Sequence, residues 1–594
     1  MFGLIIILLA FPDTLKVYKL EEIVVTATRS ERAIKDLSAT VSVLTEEEIS
    51  SRYVHTTPDL LSFLPGVFIE KTGSFGRSDI DIRGLGDRGR KVMVLVDGRP
   101  VKMGLFGCTV THSLPLNNVE RIEVVRGPAS VLYGSDALGG VVNIITKRVE
   151  SGFTTDLRLA YGSYQTQQLR LRHGGRIGEF DYFLTGDYEK SDGHLENSAY
   201  SGKDFTGRIG YQLLPGLRAS LSAKYFDGYK EEPKRVTDPE TLESDVWNRY
   251  RRGAIDLSID GRWQRYRGMI KSYLNFGRHE FSDGWKSKDS TYGMIGHLTG
   301  RITNTNELMV GVEYRRQLGE WIGTGSWSKY EIGIFAHDEQ RILNKLIATV
   351  GGRINWDEIS GRVFVPRAGL VWPILSGTII RGSIGRGFRS PQLNELYMFP
   401  PSNPDLKAEF VTNYEVGISQ HLFGPLSFDL VGFLMDGENL IELAPNPSPP
   451  PKFRFQNTDS FRFYGSEISL RIDHRKLKGE INYSHLDPGE KTRGRIKDKF
   501  GISLSGDFQP IRIGLMGQYV TNYFAADSSM DRIDDYLLIN LNLSFRFGFG
   551  LVPFLSIENI LDQEYAIYAD LPGGAAGCYE MPGRSFTIGL DFRW

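Results

Sequence analysis

The sequence has few of the features that identify the commonest protein classes. Its 594 residues include only two cysteines, Cys108 and Cys578, too few for a disulfide framework. No run of 18 or more apolar residues occurs, which excludes a membrane-spanning helix. The formal net charge of −2 argues against a nucleic-acid binder that works through bulk positive charge. The ten histidines fall in no recognisable nucleophile–base motif, which argues against a hydrolytic enzyme.

Glycine and aromatic residues are abundant instead. The chain contains 66 glycines, and Phe, Trp and Tyr together make up 12% of it. Many short strands joined by glycine-rich turns, with frequent Tyr and Phe, are typical of a large antiparallel β-structure. A β-barrel crosses a membrane with only every second residue apolar, so the missing apolar run does not exclude a membrane location.

The N-terminal region is apolar for about its first eleven residues and polar afterwards. We interpret residues 1–18 as a secretory signal peptide, although it lacks a basic first segment and a clear cleavage site. A buried strand is the alternative interpretation. Residues 19–37 then read as a linker that carries a short β-prone segment.

Residues 38–150 predict a compact α/β domain. Thr45, followed by three glutamates, indicates the start of a short helix, and Thr57-Pro58 opens a second helix that Pro65-Gly66 ends. Short β-runs bounded by glycine follow at Ile80–Ile82, Val92–Val96, Arg121–Arg126 and Val141–Thr146.

Residues 151–594 alternate between apolar and polar side chains. Ile255, Leu257 and Ile259 interleave with Asp256 and Ser258, so each strand has one apolar and one polar face. Because the polar faces repeatedly carry Arg, Asn and Ser, we favour a water-filled barrel over a soluble sandwich.

The last strand supports the same interpretation. It carries apolar residues at every second position and ends on Trp594, with Phe586, Ile588, Leu590 and Phe592 before it. Such a strand would be an aggregation hazard as a free edge, whereas in a barrel it pairs with the first strand. Four longer irregular segments are expected to be extracellular loops: 228–250, 392–410, 444–460 and 564–583.

Several motifs resemble those of the TonB-dependent outer-membrane receptors, and together they cover nearly the whole chain. The N-terminal motifs are Glu22–Ala27, Leu64–Val67, Ile82–Gly84, Val94–Gly98, Val119–Pro128 and Tyr133–Thr146. The C-terminal motifs are Gly387–Pro391, Asn403–Glu409 and Glu558–Asp562. The glycine-rich segment Gly134–Gly140 is not followed by Lys-Ser/Thr, which a phosphate-binding loop requires. Tight turns between strands explain its glycines better.

The resemblance implies an all-β membrane protein of the outer membrane of a Gram-negative bacterium. It implies a 22-stranded antiparallel transmembrane β-barrel at 151–594, closed by the plug domain at 38–150 inside its lumen. Residues 151–594 allow about 20 residues per strand and connection, which suits strands of about ten residues. The implied partners are TonB with its inner-membrane complex, outer-membrane lipid, and the barrel assembly machinery through the strand ending at Trp594. The receptor is expected to be a monomer that binds no nucleic acid.

The motif near the N-terminus resembles a TonB box, the segment that binds TonB. It is short and β-prone, which suits pairing with a strand edge of a partner. An ordinary first strand of the plug is the alternative. The residues of the box are Glu22, Ile23, Val24, Val25, Thr26 and Ala27.

Four charged residues fall at positions that resemble the family's contact between plug and barrel. Arg83 and Arg126 lie in plug motifs, and Glu415 and Glu467 lie in barrel strands. Buried guanidinium groups require carboxylate partners. We therefore predict a plug–barrel lock made of these four residues, the alternative being unrelated luminal charges.

The family resemblance implies a scarce nutrient as ligand, most often a ferric siderophore and in a similar subgroup cobalamin. No intrinsic cofactor is expected, and the transported ligand is expected to contain a metal. Haem is disfavoured because no histidine lies in 392–402, between the two barrel motifs. The candidate ligand-binding residues are Arg99, Lys102, Met103, Phe106, Cys108, His112 and Tyr397.

Met103, Cys108 and His112 carry a further hypothesis, because Met, Cys and His are ligands for soft metals such as Cu(I). Cys578 lies in the last predicted extracellular loop and is expected to face the same vestibule. Three alternatives stay open: a disulfide between Cys108 and Cys578, two unrelated buried thiols, or an apolar platform under an organic chelator. A passive porin and an outer-membrane barrel enzyme are the rival classes; neither needs a TonB box.

Overall fold

The computed structural model describes residues 24–25, 29, 32–86, 88–239, 245–343, 345–458, 460–570 and 576–594. The predicted signal peptide at 1–18 lies outside these ranges, as do Glu22, Ile23, Thr26 and Ala27. Among the described residues, every helix is too short or too polar to cross a membrane.

The N-terminal domain is built on a small mixed sheet. Its strands are β1 (Val24–Val25), β2 (Arg32–Ala33), β3 (Val41–Thr45), β4 (Val67–Lys71), β5 (Ser78–Ile82), β6 (Val92–Val96), β7 (Arg99–Pro100), β8 (Val119–Arg126) and β9 (Gly140–Thr146). Its helices are α1 (Glu46–Ser51), α2 (Thr57–Leu61) and α3 (Ser130–Tyr133), with 3-10 turns at Ile34–Asp36 and Thr111–Ser113. The five-stranded sheet has the order β3-β8-β9-β6-β7, and β4 pairs with β5.

Both predicted helices of this domain are confirmed, and their starts have the expected cause. The Thr45 side chain accepts a hydrogen bond from the Glu48 amide, and Glu48 accepts one from the Thr45 amide. Asp59 likewise accepts a hydrogen bond from the Thr56 amide at 3.0 Å. These reciprocal contacts satisfy amides that a helix start leaves without a partner.

The rest of the chain forms a closed antiparallel barrel. Its elements are β10 (Phe153–Gly162), β11 (Thr166–Ile177), β12 (Phe180–Ser191), β13 (Tyr200–Leu214), β14 (Leu217–Glu231), β15 (Trp247–Trp263), β16 (Tyr266–Phe281), β17 (Lys286–Gly300), β18 (Asn306–Trp321), β19 (Gly325–Ile342), β20 (Leu346–Asp357), β21 (Gly361–Leu375), β22 (Thr378–Arg389), α4 (Leu393–Tyr397), β23 (Glu409–His421), β24 (Leu426–Glu438), β25 (Ile441–Pro445), β26 (Phe453–Asn457), β27 (Phe461–His474), β28 (Leu477–Asp487), β29 (Ile496–Phe508), β30 (Ile511–Phe524), β31 (Arg532–Ile533), β32 (Tyr536–Phe545), β33 (Leu551–Glu558), β34 (Ala566–Ala569), β35 (Gly577–Glu580) and β36 (Ser585–Arg593).

The predicted 22 strands and their closure are confirmed. Successive segments pair around the ring, and β31 and β32 both pair with β30, so they are two parts of one interrupted strand. The hairpins β25–β26 and β34–β35 are separate two-stranded sheets and are not part of the barrel. The last strand, β36, pairs with β33 and with β10, where Leu590 lies opposite Leu159.

The apolar faces of the strands point outward. Ile255, Leu257 and Ile259 are between 41% and 49% exposed, whereas Asp256 and Ser258 are buried on the inside. Inside the barrel, the Ser258 and Ser220 hydroxyls lie 2.8 Å apart. This arrangement is the reverse of a soluble protein and matches a barrel in lipid around a polar lumen.

The connections between strands are all short at one end of the barrel, whereas the other end carries the long loops together with several short turns. The N-terminal end of the plug lies at the short-turn end, where Asp36 forms an ion pair of 2.7 Å with Arg341. The four predicted loops lie at the long-loop end, but their bounds are corrected. β14 and β15 extend into the predicted loop 228–250. The segments 444–460 and 564–583 fold into hairpins, because strand pairing satisfies backbone groups that an irregular loop would leave to water.

Candidate functional site

Three turns of the plug form the floor of a vestibule at the long-loop end. Each turn contacts a barrel loop. The Thr72 hydroxyl donates to Glu232 at 3.1 Å, Arg88 donates to the Asp570 carbonyl at 2.9 Å, and the Leu105 carbonyl accepts from the Asn394 amide at 3.1 Å. The vestibule is therefore lined by plug and barrel together.

One side of the vestibule is covered by the hairpin β34–β35. Its Tyr568 carbonyl accepts from the Tyr523 hydroxyl at 3.0 Å, and Tyr523 packs edge-on against Phe68 of β4 with ring centroids 5.6 Å apart. The Cys578 carbonyl accepts from the Val236 amide of the neighbouring loop at 2.9 Å. The hairpin therefore ties this side of the vestibule to the plug and to the neighbouring loop.

The opposite side carries a cluster of aromatic rings, which we call the aromatic platform. Phe106 lies 5.6 Å from Trp285, Trp321 lies 5.3 Å from Phe399, and Trp327 stacks on Tyr397 at 6.5 Å between centroids. Tyr397 is 36% and Phe399 37% exposed. The platform consists of Phe106, Trp285, Trp321, Trp327, Tyr397 and Phe399.

The sequence predicted Phe106 and Tyr397 as ligand-binding residues but not the other four rings. Trp285, Trp321 and Trp327 lie at or beside the outer ends of the three successive barrel strands β17, β18 and β19. Aromatic residues at strand ends are also common in the interfacial girdles of barrels, so their position alone does not indicate a ligand site.

A tight turn presents Phe106 to the platform. The Met103 amide donates to the Cys108 carbonyl, and the Gly107 amide donates to the Met103 carbonyl, both at 2.9 Å. Gly107 has φ +68°, and a Cβ there would lie 2.3 Å from the Gln392 side chain. The turn therefore requires glycine for its conformation and for its close contact with the loop that follows β22.

The three predicted soft-metal ligands are only partly brought together. The Cys108 and Met103 sulfur atoms lie 3.9 Å apart. His112 lines a separate cavity, where its ring lies 5.2 Å from that of Tyr200. Burial lowers the pKa of His112 to about 3, so the imidazole is neutral. Among the described residues, no three His, Cys, Asp or Glu side chains are grouped so that they could hold a metal ion.

The two cysteines lie within the described ranges and are free thiols. Cys578 lies in β35 opposite Tyr568 and packs in the apolar cluster beneath the hairpin. Burial raises the pKa of its thiol. Of the alternatives for the cysteines, the structure contains no disulfide and places Cys578 as a packed thiol.

Arg99 and Lys102, the predicted cationic ligand-binding residues, are buried in contacts that lie below the vestibule. Arg99 donates to Asp256 of the barrel wall at 3.1 Å. Lys102 donates to the Arg90 carbonyl at 2.7 Å, and burial lowers the pKa of its ammonium to about 8. The closed barrel thus brings acceptors to both charged ends, and a ligand-binding role of these two residues stays a prediction.

The four predicted lock residues meet between plug and barrel. Arg83 donates to Glu467 at 2.8 and 2.9 Å and to Glu415 at 2.7 Å, and Arg126 donates to Glu467 at 2.8 Å. All four side chains are almost fully buried. A Cβ at Gly66 would lie 2.2 Å from a Glu467 oxygen, so this glycine leaves the space that the carboxylate occupies.

A buried chain of polar contacts runs from the plug turn under the aromatic platform to Arg29, near the N-terminus. We call it the polar relay. Successive members form either an ion pair or a hydrogen bond with each other, and the side chains of all members are buried. Its contacts are Lys102–Asp136 (3.8 Å), Asp136–Arg315 (3.6 Å), Arg315–Glu331, Glu331–Asn355 (3.1 Å), Asn355–Arg353 (3.0 Å), Arg353–Glu313 (3.2 Å) and Glu313–Arg29 (3.2 Å).

The part of the predicted TonB box that the structure describes is paired within the chain. Val24 lies opposite Ala33 and Val25 opposite Arg32 in a short antiparallel hairpin. Arg32 forms ion pairs with Glu307 at 2.7 Å and Glu339 at 3.2 Å. The hairpin is thus attached to the short-turn end of the barrel.

Comparisons with known proteins agree with this architecture. A family described as TonB dependent receptor-like, beta-barrel matches residues 146–560, and the TonB-dependent Receptor Plug Domain matches residues 33–141. The Iron-regulated outer membrane virulence protein of Vibrio cholerae serotype O1 is 28% identical over 96% of this chain and 95% of its own. The Vitamin B12 transporter BtuB of Vibrio vulnificus is 27% identical over 97% of this chain and 95% of its own. The crystal structure of the siderophore receptor PirA from Acinetobacter baumannii is similar with a TM-score of 0.79, at 17% identity, over 93% of this chain and 98% of that chain.

Proposed function

The chain belongs to the TonB-dependent receptors of the Gram-negative outer membrane, and from this membership we propose that it imports a ferric siderophore. Receptors of this family work with TonB and are transporters, so the porin and enzyme alternatives gain no support. The proposed ligand enters the vestibule, binds at the aromatic platform, and passes the plug when TonB pulls on the N-terminal segment.

The aromatic platform is the observation that carries this proposal. Six rings from plug and barrel cluster on the side of the vestibule away from the hairpin β34–β35. Aromatic rings bind the flat, apolar faces of an organic chelator and place a large contact area in a few rigid side chains. A relative named for iron regulation is similar over nearly the whole chain, which supports an iron-bearing ligand.

Cobalamin is the second candidate. It is supported by the similarity to a vitamin B12 transporter over 97% of the chain. A soft metal such as copper is the weakest candidate, because only the Met103–Cys108 pair is assembled and thiolate sites usually need further ligands.

Replacing an aromatic ring of the platform is expected to weaken ligand binding. For Trp285→Ala we expect the dissociation constant of a ferric catecholate siderophore to rise by about tenfold, because one aromatic contact contributes about 1 kcal/mol besides its buried area. Purified receptor is titrated with the siderophore, cobalamin and Cu(I), and binding is followed by calorimetry.

Trp263→Ala provides the matched control, because Trp263 is a half-exposed ring on the outer surface at the short-turn end. Saturable binding of cobalamin but not of siderophore would replace the first candidate by the second. Saturable binding of Cu(I) alone that Cys108→Ser abolishes would favour the soft-metal alternative. Equal siderophore affinities in wild type and Trp285→Ala would contradict the platform as the binding site.

We further propose that the polar relay holds the N-terminal hairpin until ligand binds. Arg29 is the last member of the relay, and its guanidinium also lies 4.9 Å from the Tyr133 ring and 5.2 Å from the Phe335 ring. Its side chain and that of Glu313 are 6% and 2% exposed. A ligand that moves the turn carrying Lys102 would disturb the contacts of Arg29, at the other end of the relay, through the charged groups between them.

Arg29→Gln is expected to release the hairpin without ligand. The lost charge-assisted hydrogen bond contributes roughly 1.5 to 3 kcal/mol, so amide exchange in residues 24–33 should accelerate at least about tenfold. Hydrogen–deuterium exchange measured by mass spectrometry tests this. Arg341→Gln is the control, since Arg341 forms an exposed ion pair with Asp36 at the same end of the plug. Exchange as slow in Arg29→Gln as in the control would refute the release.

A further inference from the structure

A basic cavity lies between the plug and the strands at which the barrel closes. It consists of two adjacent cavities of about 560 and 620 Å³, and the second lies at the short-turn end beside α1. We call this second, lower cavity the seam cavity. Its described lining contains the cationic residues Arg52, Lys147, Arg158, Arg170, Arg172 and Arg593, and the acidic residues Glu46, Asp156 and Asp591.

The strand register concentrates arginine on the luminal face of the seam. Arg158 of β10 lies directly opposite Arg170 of β11, and on its other side opposite Asp591 of β36. In the next row, Asp156 lies between Arg172 and Arg593. Like charges directly opposite each other destabilise a sheet, so the Arg158–Arg170 pair needs compensating negative charge.

The acidic residues of the cavity are already engaged. Asp591 accepts two hydrogen bonds from Arg158, at 2.6 and 2.8 Å, and Asp156 is shared by Arg172 at 3.2 Å and Arg593 at 3.3 Å. Glu46 is paired with Lys147. These carboxylates therefore offset only part of the positive charge that surrounds the void.

Arg170 and its partner have unused hydrogen-bonding capacity. Arg170 is 5% exposed and lies 3.4 Å from Asp187, which lines the upper cavity. The two atoms of this ion pair are Arg170 Nε and Asp187 Oδ1, and neither of them makes a hydrogen bond within the described part of the chain. Burial and the nearby Arg172 also lower the pKa of Lys147, as expected beside an excess of positive charge. A buried ion pair without a hydrogen bond leaves donor and acceptor capacity that water or a ligand in the cavity can satisfy.

We propose that the seam cavity binds an oxyanion, such as a carboxylate or catecholate group of the transported chelate, as it leaves the plug for the periplasm. Arginine suits this role because its guanidinium donates two parallel hydrogen bonds to carboxylate or phosphate. The binding site stands on the cavity alone, whereas its role in export rests on the proposed function.

The position of the cavity supports an exit route along this wall. Leu116 and Asn117 line both the seam cavity and the upper cavity, which also contacts Tyr200. Phe75, in one of the plug turns of the vestibule floor, stacks on Tyr200 with centroids 5.0 Å apart. The two cavities thus lie in succession between the underside of the vestibule floor and Arg593, which is half exposed at the short-turn end.

Anion titration of the full-length receptor in detergent tests the site. Citrate and inorganic phosphate serve as probes, and binding is measured by calorimetry at low and high NaCl concentration. We expect saturable citrate binding to wild type that salt weakens, and about tenfold or greater loss in Arg170→Gln and in Arg172→Gln. Arg381→Gln is the control, because Arg381 is a luminal arginine of β22 paired with Asp429 at 2.8 Å.

Heat-modifiable migration on gels identifies any variant that fails to fold, and Arg170→Lys then replaces Arg170→Gln. That variant keeps the charge but lacks the two-pronged donor, so its citrate affinity should fall between those of wild type and Arg170→Gln. Absence of citrate and phosphate binding to wild type would overturn the site, as would equal affinities in wild type and the seam variants.

Transport assays test the export role separately. In Arg172→Gln cells we expect siderophore uptake to slow by about fivefold or more while binding at the cell surface keeps its wild-type affinity. Uptake at the wild-type rate in a variant that has lost citrate binding would overturn the exit route. Failure of the proposed function is distinguishable, because wild-type cells would then show neither siderophore binding nor TonB-dependent uptake.

Discussion

Deletion of residues 22–27 is expected to abolish energy-dependent uptake while leaving ligand binding at the cell surface intact. The deleted segment is the proposed TonB box, and TonB would engage it by strand pairing. Ligand binding should persist because the aromatic platform lies at the opposite end of the plug. The expected effect is a fall in uptake to the level of cells without TonB.

The measurement compares accumulation and surface binding of radiolabelled ligand in cells with and without TonB. Val24→Pro is a finer variant, because proline removes the amide that strand pairing requires and restricts the backbone. Val24→Ile is its matched control, since it keeps the amide and the β-propensity. Undiminished uptake by the deletion variant, or uptake that survives the loss of TonB, would overturn the assignment of this segment.

Substitution of Glu467 by glutamine is expected to loosen the plug in the barrel. This carboxylate accepts hydrogen bonds from both Arg83 and Arg126, and all three side chains are nearly inaccessible to solvent. Removing one partner of a buried ion pair destabilises a protein by about 3–5 kcal/mol, because the remaining charge stays buried without full compensation. Here two guanidinium groups lose a shared partner, while Glu415 still pairs with Arg83.

Two measurements follow plug retention: the protease resistance of the plug in purified receptor, and the entry of large antibiotics into cells. We expect faster proteolysis and greater permeability in Glu467→Gln. Glu438→Gln is the control, because Glu438 is exposed and its ion pair with Arg386 lies at the surface. Surface pairs contribute about 0–1 kcal/mol, so the control should match wild type. Unchanged proteolysis and permeability in Glu467→Gln would contradict the lock.

Much of the fold could be predicted because its signals are local. Alternation with a period of two indicates a strand with one apolar face whatever its neighbours are, and the plug helices begin at capping residues three positions apart. The loops were predicted less well. Segments 444–460 and 564–583 contain prolines or glycines that indicate a turn, but whether the flanking residues pair with each other depends on the surface on which they fold.

The candidate site could be predicted only in part, for the same reason. Arg83 and Glu467 fall at positions that resemble the family's contact between plug and barrel. In contrast, nothing in the sequence indicated that Arg99 contacts Asp256 or that Lys102 contacts the Arg90 carbonyl. The local sequence around a charged residue is the same whether its side chain faces a ligand or a buried partner. Only the burial of the side chain in the folded protein distinguishes these two cases.

By itself, the sequence determined the class of the molecule: the alternating strands, the apolar strand ending at Trp594, and the plug with its motifs. The tertiary structure alone decided which distant residues share a surface. It gathered the aromatic platform from a plug turn, barrel strand ends and the loop after β22, and the polar relay from plug and wall. It also placed five arginines around one cavity where β36 closes on β10. The physical reason is that barrel closure fixes the register of every strand, and register decides which luminal side chains meet.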